Sequence, residues 1–552
     1  MSQPSSVSRH TETAPVATTP GATEEGAVTP MSRVVLAAST GTVFEYYDFM
    51  LYGTLATFFG SLFFPAGNDT AALLASLATF GAGFAVRPLG ALVFGRLGDR
   101  VGRKRTFLVT ILLMGASTAL VGVLPTFESI GWWAPGLLVT LRLVQGLALG
   151  GEFGGAAVYI AEHASKERRG YYTSWIQTTG TLGLVSSLLV ILACRGVLGD
   201  EAFRAWGWRI PFLVSVVLLA LSVYIRLKLH ESPLFAELQR TGQLSRSPIV
   251  ESLFRRENAR RMVAAIVVAA AMAISWYTAQ FYSMVFLQTA LSIDSSTTSV
   301  MIVFALLLGV PIYAAAGALS DRIGRRPVML AGMLLATLAV MPAYRGLLAI
   351  GSPQLAAAQQ SAPVVVRAEP TRFDPFADTA ALDDATRARD FLAKRGISYE
   401  NAAPLPDAPL TIEVAGQRIT GFDREALAAA LAGAGYPTTA ATPRIDSLAD
   451  LGATHFKLIA LIVAMIVGAG LTCGPGAAWL SEIFPTRIRY TALSVPYHLT
   501  SAWFGGFMPL TAAWLVARTG NVLSGLWYPI VVMGTCFLLS LFLMKESRGN
   551  DL

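Results

Sequence analysis

Glu45, Asp48 and Tyr52 fall at i, i+3 and i+7 inside an otherwise apolar stretch, so on a helix they form one stripe. An ionisable group at bilayer depth costs about 2.5–3.5 kcal/mol on insertion scales and marks a functional site by default. Burial disfavours an ionised carboxylate and a guanidinium neighbour restores it, so a carboxylate that gains and loses such a neighbour can bind and release a proton. Asp48 is the first candidate for that role and Glu45 the reserve; the alternative is that both are helix-end residues near the interface. Further on, Arg142, Gln145, Leu149 and Glu152 lie at i, i+3, i+7 and i+10, again a single face. Arg142 could grip a substrate carboxylate through two parallel bonds or hold Asp48 between substrate visits. Gln145 and Tyr52 would add polar contacts for the solute, and Glu152 is a third proton-coupling candidate. Trp276, Tyr277 and Gln280, with Tyr497, His498 and Trp503, could line the other side of a shared cavity. Aromatics in membrane spans are, however, more often lipid-facing or interfacial anchors.

A second set of residues repeats. GRLGDRVGRKR at 95–105 recurs as GALSDRIGRRP at 317–327, aligning Asp99 with Asp321, Arg100 with Arg322 and Arg103 with Arg325. Glu162 precedes Arg169 by seven residues, and Glu482 precedes Arg489 by seven. Glycine allows close approach and sharp turns, while an aspartate at a helix end can accept from a neighbouring helix N-terminus or pair with arginine. Such bonds would latch the cytoplasmic side shut. One copy alone would read as a plain positively charged loop; two copies at equivalent places argue for gating. Gly146, Gly150 and Gly154, spaced by four, suit tight helix packing in lipid. GGEFGG lacks the strand and lysine that a phosphate-binding loop needs.

The elements that must position these residues follow from composition. Of 552 residues 54% are hydrophobic and 14% charged, against roughly 25% charged in soluble domains. A spanning helix needs about 20 mostly apolar residues, and runs of that kind predict spans at roughly 33–60, 72–95, 106–124, 134–162, 171–193, 208–229, 262–288, 298–319, 327–350, 455–481, 491–517 and 525–544. The expected fold is therefore an all-α membrane protein of twelve transmembrane helices in two six-helix halves, 31–229 and 262–350 with 454–545. Lys and Arg collect in alternate short loops, which places those loops and both termini in the cytoplasm, with the chain multi-pass in the inner (plasma) membrane. Residues 1–30 read as a disordered cytoplasmic tail and 230–261 as a cytoplasmic linker. The stretch 351–453 falls between the ninth and tenth spans and is expected outside the cytoplasm. VVVRAE, DDATRARDFLAKRG, LTIEVAGQRI and DREALAAALAGAGYP give it the order strand, helix, strand, helix, or else it is a loosely ordered spacer.

The net charge of +7 sits in short loops, so it calls for no nucleic-acid partner. No histidine stands near a cysteine in ligand spacing, and Cys194, Cys473 and Cys536 lie in apolar segments. Neither a metal nor another cofactor is expected, and no nucleophile and base pair suggests an enzyme. The expected partners are a small-molecule substrate, protons and the bilayer, with the chain a monomer.

GTVFEYYDFMLYG at 41–53, FAVRPLGALVFGRLGDRVGRKR at 84–105, RLVQGLALGGEFGGAAVYIAEHA at 142–164 and SEIFPTRIRYTALSVPYH at 481–498 resemble the major facilitator superfamily, and within it the metabolite:proton symporters. That group includes carriers of α-ketoglutarate, citrate, shikimate, and proline or betaine. The resemblance implies proton-coupled symport of a small organic acid, di- or tricarboxylate in type, or of a zwitterionic osmolyte, by alternating access about a site between the halves. Arg87, just before Pro88, matches a position that the family uses around its solute site and is a second candidate for an anionic group, unless it snorkels to the interface. Arg87 and Arg142 favour the acid. The competing expectation is a non-transporting solute sensor that signals through 351–453, which would bind ligand without flux.

Overall fold

In lipid a backbone must satisfy its own hydrogen bonds, so apolar runs of this length fold as helices. The computed structural model describes residues 31–64, 69–101, 103–151, 153–227, 240–241, 248–253, 255–369, 383–406, 408–439 and 441–550. The N-terminal tail, Glu152 and much of the linker fall outside these residues. Among the described residues, nine helices are long and apolar enough to cross a membrane, from Thr70–Phe94 to Ser524–Leu543, and Leu108–Val123 and Arg209–Tyr224 are shorter apolar ones. The Met31–Thr54 helix, continued after a break at Leu55 by Ala56–Phe63, is not among the nine. Glu45, Asp48 and its serines, threonines and glycines lower its hydropathy, so the residues that mark it for function also disguise it as a span.

The long Arg169–Ala202 helix packs on Met31–Thr54 along one side and on Ser295–Ile323 along the other, which ties the N-terminal helices to the C-terminal ones. Arg325–Gly351 packs on Ala453–Cys473. The glycine ladder of 146, 150 and 154 acts where the sequence expects: a Cβ on Gly146 would strike the Gly83 carbonyl, one on Gly150 the Arg87 carbonyl, and one on Gly154 the Ser494 hydroxyl. Two of the three hold the Trp133–Leu149 region against the helix that carries Arg87, and the third faces the C-terminal helices.

The stretch after Gly351 is folded. β1 (Val364–Ala368) pairs parallel with β2 (Tyr399–Ala402) and antiparallel with β3 (Leu410–Val414), which pairs with β4 (Gln417–Thr420), giving the order β2-β1-β3-β4. The Asp384–Ala393 and Arg424–Gly433 helices pack against this sheet, each opened by an aspartate cap, Asp383 and Asp423. The expected third element, LTIEVAGQRI, is a hairpin and not one strand. Ala415 (φ 49°) and Gly416 (φ 82°) supply the two positive-φ residues of its tight turn. The all-helical expectation thus holds for the membrane part, with a mixed sheet and helix unit added to it.

Thr297, which this unit contacts through Ile445 N (2.8 Å), and Asp321 lie on one helix, Ser295–Ile323. At 1.5 Å per residue they are about 36 Å apart, so the folded insert and the Asp321 cluster occupy opposite ends of the helical body.

Candidate functional site

Arg142 is fully buried in the Trp133–Leu149 helix. Its Nη1 donates to Gln145 Oε1 (2.5 Å) and to the Phe49 carbonyl (3.3 Å), and Gln145 Nε2 donates to Thr118 Oγ1 (3.0 Å). The guanidinium lies over the rings of Phe49 (4.3 Å) and Tyr52 (4.6 Å). Arg87 is equally buried and lies over Phe84 (3.7 Å) and over the same Phe49 ring (4.1 Å). A desolvated cation over an aromatic face gains about 2 kcal/mol, which offsets part of the cost of keeping two guanidiniums at this depth. Each still has Nε and Nη2 without a hydrogen-bond partner among the described residues.

Arg87 opens onto a small cavity of about 40 Å³, which has room for a few waters. Tyr46 and Gln177 line it from the N-terminal helices and Trp276, Tyr277, Tyr497 and Ser501 from the C-terminal ones. Tyr277 begins a π-helical turn, Tyr277–Tyr282, and Ser501 begins another, Ser501–Gly506; such bulges re-aim side chains and collect at functional sites. Of the expected solute contacts, Arg87, Trp276 and Tyr277 reach this cavity. Arg142, Gln145, Tyr52 and Gln280 sit behind it in hydrogen-bond networks: Tyr52 on Ser76, Gln280 between Thr181 and Tyr313. His498 is buried but does not line the cavity, and Trp503 is 55% exposed and faces outward. Tyr46, Gln177 and Ser501 escape sequence reasoning; the polar run around Gln177 within an apolar span was the available signal.

Glu45 and Asp48 are 4% and 5% exposed, and Asp48 Oδ1 has no hydrogen-bond partner among the described residues. Arg142 does not hold Asp48. It lies against the edge of the helix formed by Phe49 and Tyr52, and with 3.6 residues per turn Asp48 falls on the other side of Tyr52. The glutamate of the Arg142 stripe, Glu152, lies outside the described residues.

At the end away from the insert, the repeat motif assembles a dense cluster. Asp321 accepts from Gly170 N (2.9 Å, Oδ1) and Tyr171 N (2.8 Å, Oδ2), capping the Arg169–Ala202 helix, and pairs with Arg325 (2.6 Å). Glycine is required at this contact: a Cβ on Gly170 would come within 2.6 Å of the Gly317 carbonyl. Glu482 collects Arg169 (3.2 Å), Arg325 (3.2 Å) and the Ser547 hydroxyl (2.6 Å), all buried. Arg489 lies 3.6 Å from Glu162. The two Glu and Arg echoes therefore cross, each arginine meeting the other echo's glutamate. Arg322 is exposed and contributes its carbonyl, to Arg548. The side chains of Asp99, Arg100 and Arg103 lie outside the described residues. Among the described residues no group of three His, Cys, Asp or Glu could hold a metal ion.

The sequence profile of the Major Facilitator Superfamily matches residues 38–358. This chain belongs to the major facilitator superfamily. The superfamily's relatives extend over nearly all of it: the inner membrane metabolite transport protein YhjE of Escherichia coli K12 is 30% identical over 526 residues, 94% of this chain and 96% of that one. The shikimate transporter of the same organism is 38% identical over 57% of this chain and 72% of its own length, and its alpha-ketoglutarate permease 35% identical over 58% and 73%. The superfamily fold is recovered as well, in the proton:xylose symporter XylE, with a TM-score of 0.60 at 14% identity over 95% of this chain and 97% of that one. The chain is thus a multi-span membrane transporter and not an enzyme, homologous to the metabolite:proton symporters.

Proposed function

We propose that the chain is a proton-coupled symporter for a small organic acid of di- or tricarboxylate type, or for a zwitterionic osmolyte, in the inner (plasma) membrane. The observation that carries this reading is Arg87, a buried guanidinium beside a cavity lined from both sets of helices, with Nε and Nη2 that meet no hydrogen-bond acceptor among the described residues. Buried N–H groups are costly to leave unmet, and a carboxylate oxygen is the acceptor that suits a guanidinium fork. Twelve spans, both termini cytoplasmic, would be made up of the nine long helices, the two shorter ones and the helix of Asp48. The monomer would rock as two six-helix halves, with the Asp321 and Glu482 clusters closing the cytoplasmic end and the folded insert standing outside. Shikimate, alpha-ketoglutarate and proline/betaine are named for relatives 32–38% identical.

An anion entering a cell that is negative inside moves against about 2.3 kcal/mol per charge per 100 mV. Protons must offset that charge, and Asp48 is the proposed carrier, with Glu45 and Glu152 behind it. Uptake of labelled α-ketoglutarate, shikimate, citrate and glycine betaine into proteoliposomes, with and without an imposed pH gradient, tests the reading. Uptake of one of them that rises with the gradient supports it; binding without flux would point to a sensor.

A further inference from the structure

The insert is rooted in the C-terminal helices and rests on them through many contacts. Tyr399 N donates to the Gly520 carbonyl (3.0 Å), Thr442 Oγ1 to the Gly351 carbonyl (2.8 Å), and Ile445 N to Thr297 Oγ1 (2.8 Å), the last two bonds buried. Gly396 (φ 63°) packs so closely on Ala290 that a Cβ would strike its carbonyl.

Toward the N-terminal helices, two polar contacts stand out among the described residues. One is the pair Arg444–Asp200 (3.1 Å), 56% and 42% exposed, and pairs in that setting hold little. The other is of a different kind. Asp390, on the Asp384–Ala393 helix, accepts through Oδ1 from Thr70 N (3.2 Å) and Thr70 Oγ1 (2.5 Å). Thr70 lies in the first turn of the Asp69–Ala85 helix, where backbone N–H groups have no intrahelical acceptor and the helix end carries partial positive charge. Lys394 holds the second oxygen of Asp390 in place (2.9 Å).

The geometry points to Asp390 as the outer counterpart of Asp321. Each is a carboxylate carried on the C-terminal side, and each caps a helix of the N-terminal side, at opposite ends of the body. We infer that the insert is a lid whose Asp390 cap must break before the solute site opens on that face. This rests on the alternating-access reading above.

The test places cysteines at both partners, Thr70→Cys with Asp390→Cys, in the full chain reconstituted in vesicles, and joins them with a short thiol cross-linker that reduction removes. Two readouts are taken: uptake of the four solutes named above, and labelling of Cys473, a native thiol in the cavity wall, by an impermeant maleimide added on the insert's side and located by mass spectrometry. Cross-linking should abolish uptake and slow Cys473 labelling about tenfold or more, and reduction should restore both; single-cysteine variants should not respond. Asp390→Ala should accelerate labelling, by about tenfold if the cap has ordinary strength. Labelling from the insert side that is unchanged by cross-linking overturns the lid, whether or not uptake is seen. Failure of uptake in the uncross-linked protein counts against the transport reading alone.

Discussion

Arg87 and Arg142 share the ring of Phe49, yet only Arg87 reaches the cavity, and this separates their expected roles. Arg87→Lys should weaken solute binding by about 1.5–3 kcal/mol, since an ammonium cannot make the planar two-bond grip on a carboxylate; equilibrium binding of the transported solute checks it. Arg142→Lys should lose the bonds to Gln145 and Phe49 and act through position, lowering affinity less than Arg87→Lys does. For Asp48→Asn, which keeps shape but removes the titrating oxygen, accumulation against a gradient should collapse while exchange of labelled for unlabelled solute survives in part. Concentrative uptake that persists in Asp48→Asn would move the coupling role to Glu45 or Glu152. The ionisable residues were legible because charge inside an apolar run stands out at once. Tyr46 and Gln177 were not, because aromatics and amides in spans are common and nothing in the pattern says which face they take. Trp503 shows the converse, a tryptophan that could have lined the cavity but takes the outward-facing alternative.

At the scale of elements, most of the expected apolar spans fall on helices within a few residues of their ends, although Arg169–Ala202 runs well past the expected 193 and Met31–Thr54 is outside the nine long apolar helices. The Asp321 repeat foretold a cap on a neighbouring helix that Gly170 N and Tyr171 N provide. The insert was only half legible. β2 is four residues of Tyr-Glu-Asn-Ala with two exposed, too short and polar to signal a strand, and the Ala415–Gly416 turn hid a hairpin inside what read as one strand. At the opposite end Glu482 gathers two buried arginines. Glu482→Gln leaves Arg169 without its buried carboxylate and Arg325 with only Asp321, and breaking a buried pair this way costs about 3–5 kcal/mol. The closed form should lose population accordingly, read as faster maleimide labelling of Cys473 from the side of the Asp321 cluster. An unchanged labelling rate would remove Glu482 from the gate.

For the whole molecule, the distance along Ser295–Ile323 separates the insert from the Asp321 cluster by a membrane's thickness. Protease added to right-side-out vesicles should therefore cut within 351–453 and spare 96–105; cutting of the insert only in inside-out vesicles would invert the proposed topology. The crossed pairs, Arg169 with Glu482 and Arg489 with Glu162, have a consequence for recombination. Neither set of helices carries the complete charge complement of its own closing surface, so the two cannot be exchanged between carriers as independent modules. A chimaera joined near residue 240 should function only when the donated portion supplies glutamate and arginine at the matching places. A charge reversal at Glu162 should likewise be suppressed by the opposite reversal at Arg489, a distant second site in sequence and a neighbour in space.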